Sequence, residues 1–295
     1  MQGELEAYIR EKAELIEQSL RAYLDFTPEA PEELARTLRY AALGGGKRLR
    51  PVLMLAVTEA LNGYVSQILP AACALEMIHS YSLVHDDLPC MDNDSWRRGQ
   101  LSCHQKFGEA AALLAGDTLQ AYAYEIIARD CDKAGVEPRL ILKLIKELGR
   151  ASGAYGMAGG QMIDLKNAPL DLESLQKMHS RKTGALLHYA VTAPLYLTET
   201  TKPLRQALHK YAAALGLAFQ IKDDILDVEG TAETLGKTPR KDIDRKKNTY
   251  VTLLGLARAK ELLAAETARA YEAAEILGVE NKLGQLAHYL LERKN

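Results

Sequence analysis

The chain has 295 residues, with 37 Lys plus Arg against 39 Asp plus Glu, so its formal net charge of −2 provides no global field for nucleic acid or an acidic membrane surface. Its four cysteines, Cys73, Cys90, Cys103 and Cys131, include no Cys-x-x-Cys pair, which argues against a zinc site or a disulfide framework and for reduced thiols. At this length a sizeable core is available, and any anion site has to be assembled locally.

Ala, Leu, Glu and Lys are abundant, only three Phe and one Trp occur, and no alternating run of β-branched residues is bounded by turns. The expected fold is all-α. A charged, amphipathic first helix covers roughly residues 3 to 24 and lacks the apolar core of a signal peptide. Thr27-Pro28-Glu29 and Pro31 start a second helix that stops at Gly44-Gly45-Gly46. Further helices are predicted at roughly 51 to 62, 67 to 87, 108 to 132, 138 to 158, 172 to 181, 183 to 197, 203 to 228, 250 to 276 and 281 to 293. Short connections at 135 to 138 and 167 to 169 favour antiparallel neighbours in one bundle, so residues 1 to 295 read as a single domain. The stretch from 229 to 248, rich in Gly, Thr, Pro and charge, reads as a polar loop able to act as a lid. No apolar run approaches the roughly 20 residues of a membrane span, and the expectation is a soluble, cytoplasmic protein.

Two aspartate clusters dominate the chemistry: Asp86-Asp87-Leu88-Pro89-Cys90-Met91-Asp92 and Asp223-Asp224-Ile225-Leu226-Asp227. Carboxylates this dense repel one another at neutral pH unless a strong cation sits among them, and hard oxygen donors suit Mg²⁺, which shares its remaining positions with water and substrate phosphates. Asp223 and Asp227, four apart, lie on one helix face. Asp86 and Asp92, six apart, would diverge by about 120° on a continuous helix, so the helix must end or kink near Pro89 for Asp92 to fold back.

The basic complement is local. Gly44-Gly45-Gly46-Lys47-Arg48-Leu49-Arg50-Pro51 joins a flexible turn to three cations, with Lys47 and Arg50 placed to grip one diphosphate. Arg97-Arg98-Gly99, Arg181-Lys182-Thr183-Gly184 and Leu235-Gly236-Lys237-Thr238 add donors. His79 lies seven residues before Asp86, almost two turns away on the same face, within reach of a phosphate, although a lone histidine on such a face is more often structural.

These segments, with Glu76 to Asp92, Leu-Ala-Gly-Asp (114 to 117) and Phe219 to Asp227, closely resemble the trans-isoprenyl diphosphate synthases, and among them the bacterial short-chain farnesyl diphosphate synthases. The resemblance implies an all-α isoprenoid-synthase bundle around a central cavity, a homodimer, and head-to-tail coupling of an allylic diphosphate with isopentenyl diphosphate. It implies three Mg²⁺ ions on Asp86, Asp92 and Asp223, with Asp87, Asp224 and Asp227 nearby. Arg97, Lys182 and Lys237 resemble ligands of the allylic diphosphate, and Lys47, Arg50, His79 and Arg98 ligands of isopentenyl diphosphate. Thr183 and Gln220 match positions facing the allylic cation, and no side chain need act as base. Tyr81, five residues before Asp86, resembles a stop for a C15 chain, and Ser82 leaves modest extra room. Trp96 and Pro239-Arg240 depart from the family pattern. A geranyl or geranylgeranyl synthase is the near alternative; a terpene cyclase or a non-catalytic modulatory subunit fits the two intact clusters less well.

Overall fold

The computed structural model describes residues 2–26, 30–229, 247–278 and 282–292. In chain order the helices are α1 (Gln2–Tyr23), α2 (Glu32–Leu43), α3 (Leu49–Ala60), α4 (Val65–Asp86), α5 (Cys103–Phe107), α6 (Glu109–Lys133), α7 (Pro138–Ser152), α8 (Met157–Lys166), α9 (Leu172–His179), α10 (Ala185–Thr192), α11 (Pro194–Leu197), α12 (Lys202–Glu229), α13 (Tyr250–Leu254), α14 (Leu256–Ala274) and α15 (Lys282–Glu292). A π-helical turn, Ser180–Gly184, joins α9 to α10, and a 3₁₀ turn, Glu275–Leu277, follows α14. Among the described residues strands are confined to one hairpin, β1 (Trp96–Arg97) and β2 (Gln100–Leu101), paired antiparallel with Trp96 opposite Leu101. The all-α expectation holds. No helix among the described residues is long and apolar enough to cross a membrane.

The chain divides into two compact units, Met1–Leu55 with Tyr64–Ile145 and Ala56–Gly63 with Lys146–Asn295. In the first unit α4 is enclosed almost all round, from Ile68 through Val84, as its nearly continuous apolar sequence requires. Its main partner is α6, which buries Ala112, Ala115, Gly116, Leu119, Ala123, Ile126 and Ile127, an i, i+3, i+4 stripe of mostly small residues that lets the helices approach closely. Gly116 marks the tightest point: a Cβ there would lie 2.0 Å from His85 Nε2, and that same nitrogen is 3.1 Å from the Leu113 carbonyl. Each fully buried Leu or Ile in such a seam contributes on the order of 1.5–3 kcal/mol of transfer free energy.

In the second unit α12 packs against α10 and α14, and α9 and α13 close an apolar cluster of Leu175, Met178, Ile221, Ile225, Tyr250 and Ala259. The π turn rests on α8 and α12 at two glycines. A Cβ on Gly160 would meet the Lys182 backbone nitrogen at 2.3 Å, and one on Gly216 would meet Gly184 Cα at 3.1 Å.

Several boundaries differ from expectation for local reasons. Gly255, at φ +77°, splits α13 from α14 where one helix was expected over 250 to 276, and Gly108, at φ +86°, separates α6 from the short α5, which was not expected. The predicted helix at 138 to 158 stops at Ser152, and α8 follows where four glycines within eight residues, Gly153, Gly156, Gly159 and Gly160, read as a break. Those glycines serve close approach as well as turning.

Candidate active site

In the first unit the geometry starts at the end of α4. The helix stops at Asp86, with Asp87 as its cap, just short of Leu88, which Pro89 disfavours in helical conformation, and the chain reverses so that the Asp92 N–H donates to the Asp86 carbonyl at 2.8 Å. Asn93, with φ +48°, and its bond to the Leu88 carbonyl complete the reversal. The fold-back expected at Pro89 is present. Asp86 and Asp92 are half-buried, whereas Asp87 is 2 % exposed. Its carboxylate accepts from Arg97, 2.5 Å to Nη2 and 3.2 Å from Nε to each oxygen. Burial lowers the Arg97 pKa, but Asp87, Asp86 and Asp92 outweigh it and raise it, so Arg97 stays firmly charged.

The hairpin presents the two arginines through a two-residue loop, Arg98-Gly99, with φ +51° and +75°, the left-handed pair that a type I′ turn demands. The sequence contains too little strand to reveal it, and Arg at the first loop position is an uncommon choice. Arg98 reaches the Gly45 carbonyl and lies against Gly46, where a Cβ would stand 2.6 Å from the guanidinium carbon. Arg50 Nη1 is 3.2 Å from His79 Nε2. Since guanidinium can only donate, that nitrogen accepts and His79 carries its proton on Nδ1. Burial, then Arg50, Arg98, Arg97 and Arg48, holds the His79 pKa well below the ordinary range, so the ring is neutral. Lys47 is exposed. Trp96 is 60 % exposed beside Leu101 on the hairpin.

Tyr81 is buried on α4, edge-on to His85, with Gln120 of α6 donating to its hydroxyl at 3.4 Å. Burial, Tyr124 and Asp86 push its phenol up to about 12. Ser82 turns its hydroxyl to the His79 carbonyl at 2.9 Å.

In the second unit Asp223, Asp224 and Asp227 lie within α12, with Asp223 half-buried and the other two at 3 % exposure. Asp224 accepts the Gln220 amide at 2.9 Å on one oxygen and the Tyr250 backbone N–H at 2.8 Å on the other. Gln220 in turn accepts the Thr183 hydroxyl at 2.7 Å, so Thr183, Gln220, Asp224 and the start of α13 form one polar chain. Thr183 and Lys182 both sit in the π turn, a backbone form concentrated at functional sites. Lys182 Nζ meets Asp164 of α8 at 2.5 Å, with Lys247 at 3.8 Å from the same oxygen. Burial raises the Asp164 pKa, but Lys182, Lys247 and His179 reverse this and hold it below the usual carboxylate value. Asp164 was not legible in the sequence; the only signal was the glycine density ahead of it. Burial depresses His179, beside Tyr250, to about 4 against the opposing pull of Asp164. Lys237 and Pro239-Arg240 lie outside the described residues.

Among the described residues no three His, Cys, Asp or Glu side chains are gathered into a ready-made metal site. The half-buried carboxylates of Asp86 and Asp92 in the first unit, and that of Asp223 in the second, are each hard oxygen donors, the kind that suits Mg²⁺ when phosphate and water supply the remaining positions.

The polyprenyl synthetase family model matches residues 31–281. The chain belongs to the polyprenyl synthetase family. This polyprenyl synthetase is 44 % identical over 262 residues to the farnesyl diphosphate synthase of Geobacillus stearothermophilus, covering 88 % of each chain. It is also 41 % identical over 295 residues to the chloroplastic geranylgeranyl pyrophosphate synthase of Capsicum annuum, covering 98 % of this chain and 78 % of the relative. Among solved structures, the Helicobacter pylori geranyltransferase in complex with magnesium and isoprenyl diphosphate matches with a TM-score of 0.84 at 34 % identity, over 97 % of this chain and 95 % of that one.

Proposed function

We propose that this polyprenyl synthetase joins isopentenyl diphosphate head-to-tail to dimethylallyl and then geranyl diphosphate, giving farnesyl diphosphate and releasing diphosphate. The observation that carries the reading is the reversal after α4, which ties Asp92 to Asp86 on the helix that also carries His79 and Tyr81.

Magnesium, once held by Asp86, Asp92 and Asp223, supplies positive charge for the departing allylic diphosphate; three ions are expected, as in the family pattern. Arg97, Lys182 and Lys237 hold that diphosphate. Breaking its carbon–oxygen bond builds negative charge on the leaving group, so cations fixed beforehand favour the transition state over the bound substrate. Thr183 and Gln220 offer their oxygens to the allylic cation. Lys47, Arg50, His79 and Arg98 orient isopentenyl diphosphate for attack; Nε2 of neutral His79 accepts from Arg50, and it would donate to a phosphate oxygen only in the other tautomer. No side chain is assigned as the base; the released diphosphate takes the final proton. Asp87 and Asp224 we assign to holding Arg97 and Gln220 in place, and Asp227 to the metal neighbourhood. The two units work as one domain, in a cytoplasmic homodimer.

Chain growth from Asp86 towards the N-terminus of α4 meets Tyr81 and Ser82 after about one turn, close to 5.4 Å and one isoprene unit. This favours a C15 product, while the Capsicum relative keeps C20 as the second reading. Purified protein is incubated with isopentenyl and dimethylallyl diphosphates plus Mg²⁺, and product lengths are measured. Farnesyl diphosphate is expected; no prenyl product with Mg²⁺, and no difference on adding EDTA, would sink the reading.

A further inference from the structure

The segment Gly44 to Pro51 contains one cation that the proposed chemistry does not use. Arg48 is 3 % exposed and stands in the left-handed region at φ +50°, where a non-glycine residue is strained. Its guanidinium is enclosed by acceptors from three helices: Nη1 donates to Glu76 of α4 at 2.7 Å, Nη2 to Glu17 of α1 and to the Ala42 carbonyl of α2 at 2.7 Å each, and Nε to Glu17 at 3.1 Å. Glu76 itself is 2 % exposed. Burial works against the Arg48 charge, but Glu76 and Glu17 more than restore it, so the group is a fixed cation already matched by two carboxylates. It is no anion site.

The register of these contacts is informative. Glu76 and His79 are neighbours one turn apart on α4, and they receive Arg48 and Arg50, two residues apart on the loop and the first turn of α3. Arg48–Glu76 and Arg50–His79 are therefore two successive rungs between the basic segment and α4. The first is closed to solvent. The second belongs to the diphosphate-binding set. A planar guanidinium held by four hydrogen bonds to three partners sets both position and twist of the backbone, which a lysine or a packed apolar residue cannot do.

We infer that Arg48, through Glu76 and Glu17, is a positioning residue that sets the isopentenyl diphosphate side of the site by turning Lys47 outward and Arg50 onto His79. The inference rests on the assignment of Lys47, Arg50 and His79 to isopentenyl diphosphate. It predicts a separation of two Michaelis constants: loss of the clamp misplaces the isopentenyl ligands, whereas Arg97 keeps its own anchor on Asp87 and Lys182, Thr183 and Gln220 belong to the other unit.

The test uses the full-length enzyme and three variants, assayed at a temperature where circular dichroism shows each one folded. In the double variant Arg48→Met/Glu76→Met both buried charges are replaced by apolar side chains, which tends to preserve stability while removing the directional bonds. Its KM for isopentenyl diphosphate is expected to rise about tenfold, with the allylic KM changed by less than about threefold. Glu17→Gln, which leaves the Arg48–Glu76 bond, is expected to give about a threefold rise and serves if the double variant does not fold. A folded double variant, or failing that Glu17→Gln, with both KM values at wild-type level or raised equally overturns the positioning role. Arg50→Gln is the control for the underlying reading: an unchanged isopentenyl KM in that variant overturns the assignment itself, and the inference with it.

Discussion

The two aspartate clusters look alike on paper and are built in opposite ways. The second occupies the interior of α12, where regular geometry stacks Asp223 and Asp227 on one face and no residue is strained. The first lies at a helix end, and its surroundings hold three non-glycine residues at positive φ, Arg48, Asn93 and Arg98. Strain of that kind costs on the order of 1–3 kcal/mol per residue and persists only where the surroundings over-determine it. One cluster is therefore placed by secondary structure and the other by tertiary bonds. In both, the middle aspartate is buried and spent on the protein: Asp87 on Arg97, Asp224 on Gln220 and Tyr250. We assign the half-buried carboxylates of Asp86, Asp92 and Asp223 to the cation, whereas Asp227 is as buried as Asp224.

The sharpest way to test that division is to remove an outer carboxylate from each cluster. Asp86→Ala and Asp223→Ala are each expected to lower kcat by about 10³-fold or more with little change in melting temperature, measured by product formation at saturating substrates. A loss of kcat below about tenfold, or a fall in melting temperature as large as that of the buried middle aspartates, would contradict the division.

Next in size is the pH effect that His179 contributes in the second unit. His179 faces Asp164, Lys182 and Tyr250, and its folded pKa of about 4 lies below the 6.5 of an ordinary histidine. The unfolded chain therefore takes up the proton first. Stability is complete above pH 6.5 and declines as pH falls towards 4, by about 3 kcal/mol in all. Urea denaturation at pH 7 and pH 4.5 should show this decline in the wild type and a smaller one in His179→Phe; identical declines would contradict the assignment.

The buried middle aspartates should separate by stability. Asp224→Asn disturbs the acceptor of a backbone N–H at a helix start and is expected to cost about 2 kcal/mol. Asp87→Asn leaves an Arg97 that can turn to water and should cost about 1 kcal/mol, while raising the allylic KM more than Asp224→Asn does. Guanidinium denaturation with paired kinetics distinguishes them. The smallest effect on rate belongs to Tyr81→Ala, which should leave kcat within about threefold and lengthen the product beyond C15; an unchanged product profile removes Tyr81 as the gate.

Much of this was legible in the sequence because it is local. Asp223 and Asp227 follow from helical periodicity, and the reversal at Pro89 follows from what proline forbids in the residue before it. The long helices were visible for the same reason. What was hidden depends on residues distant in sequence. Asp164 has meaning only through Lys182, eighteen residues later across a glycine contact, and Glu76 only through Arg48. The hairpin was hidden because four paired residues leave no periodicity to read. The π turn was hidden because a single extra residue in a helical run leaves the apolar pattern nearly intact.

The contact between Gly116 and His85 carries a lesson about how such an enzyme diversifies. Because α4 and α6 already touch where glycine is required, the backbones beside Tyr81 cannot drift apart or together by small amounts. Room can be gained there only by exchanging one side chain for another, a turn of helix at a time. Selectivity built on that seam is digital: descendants would step from one five-carbon length to the next, with few blended intermediates, and one or two substitutions would suffice for each step.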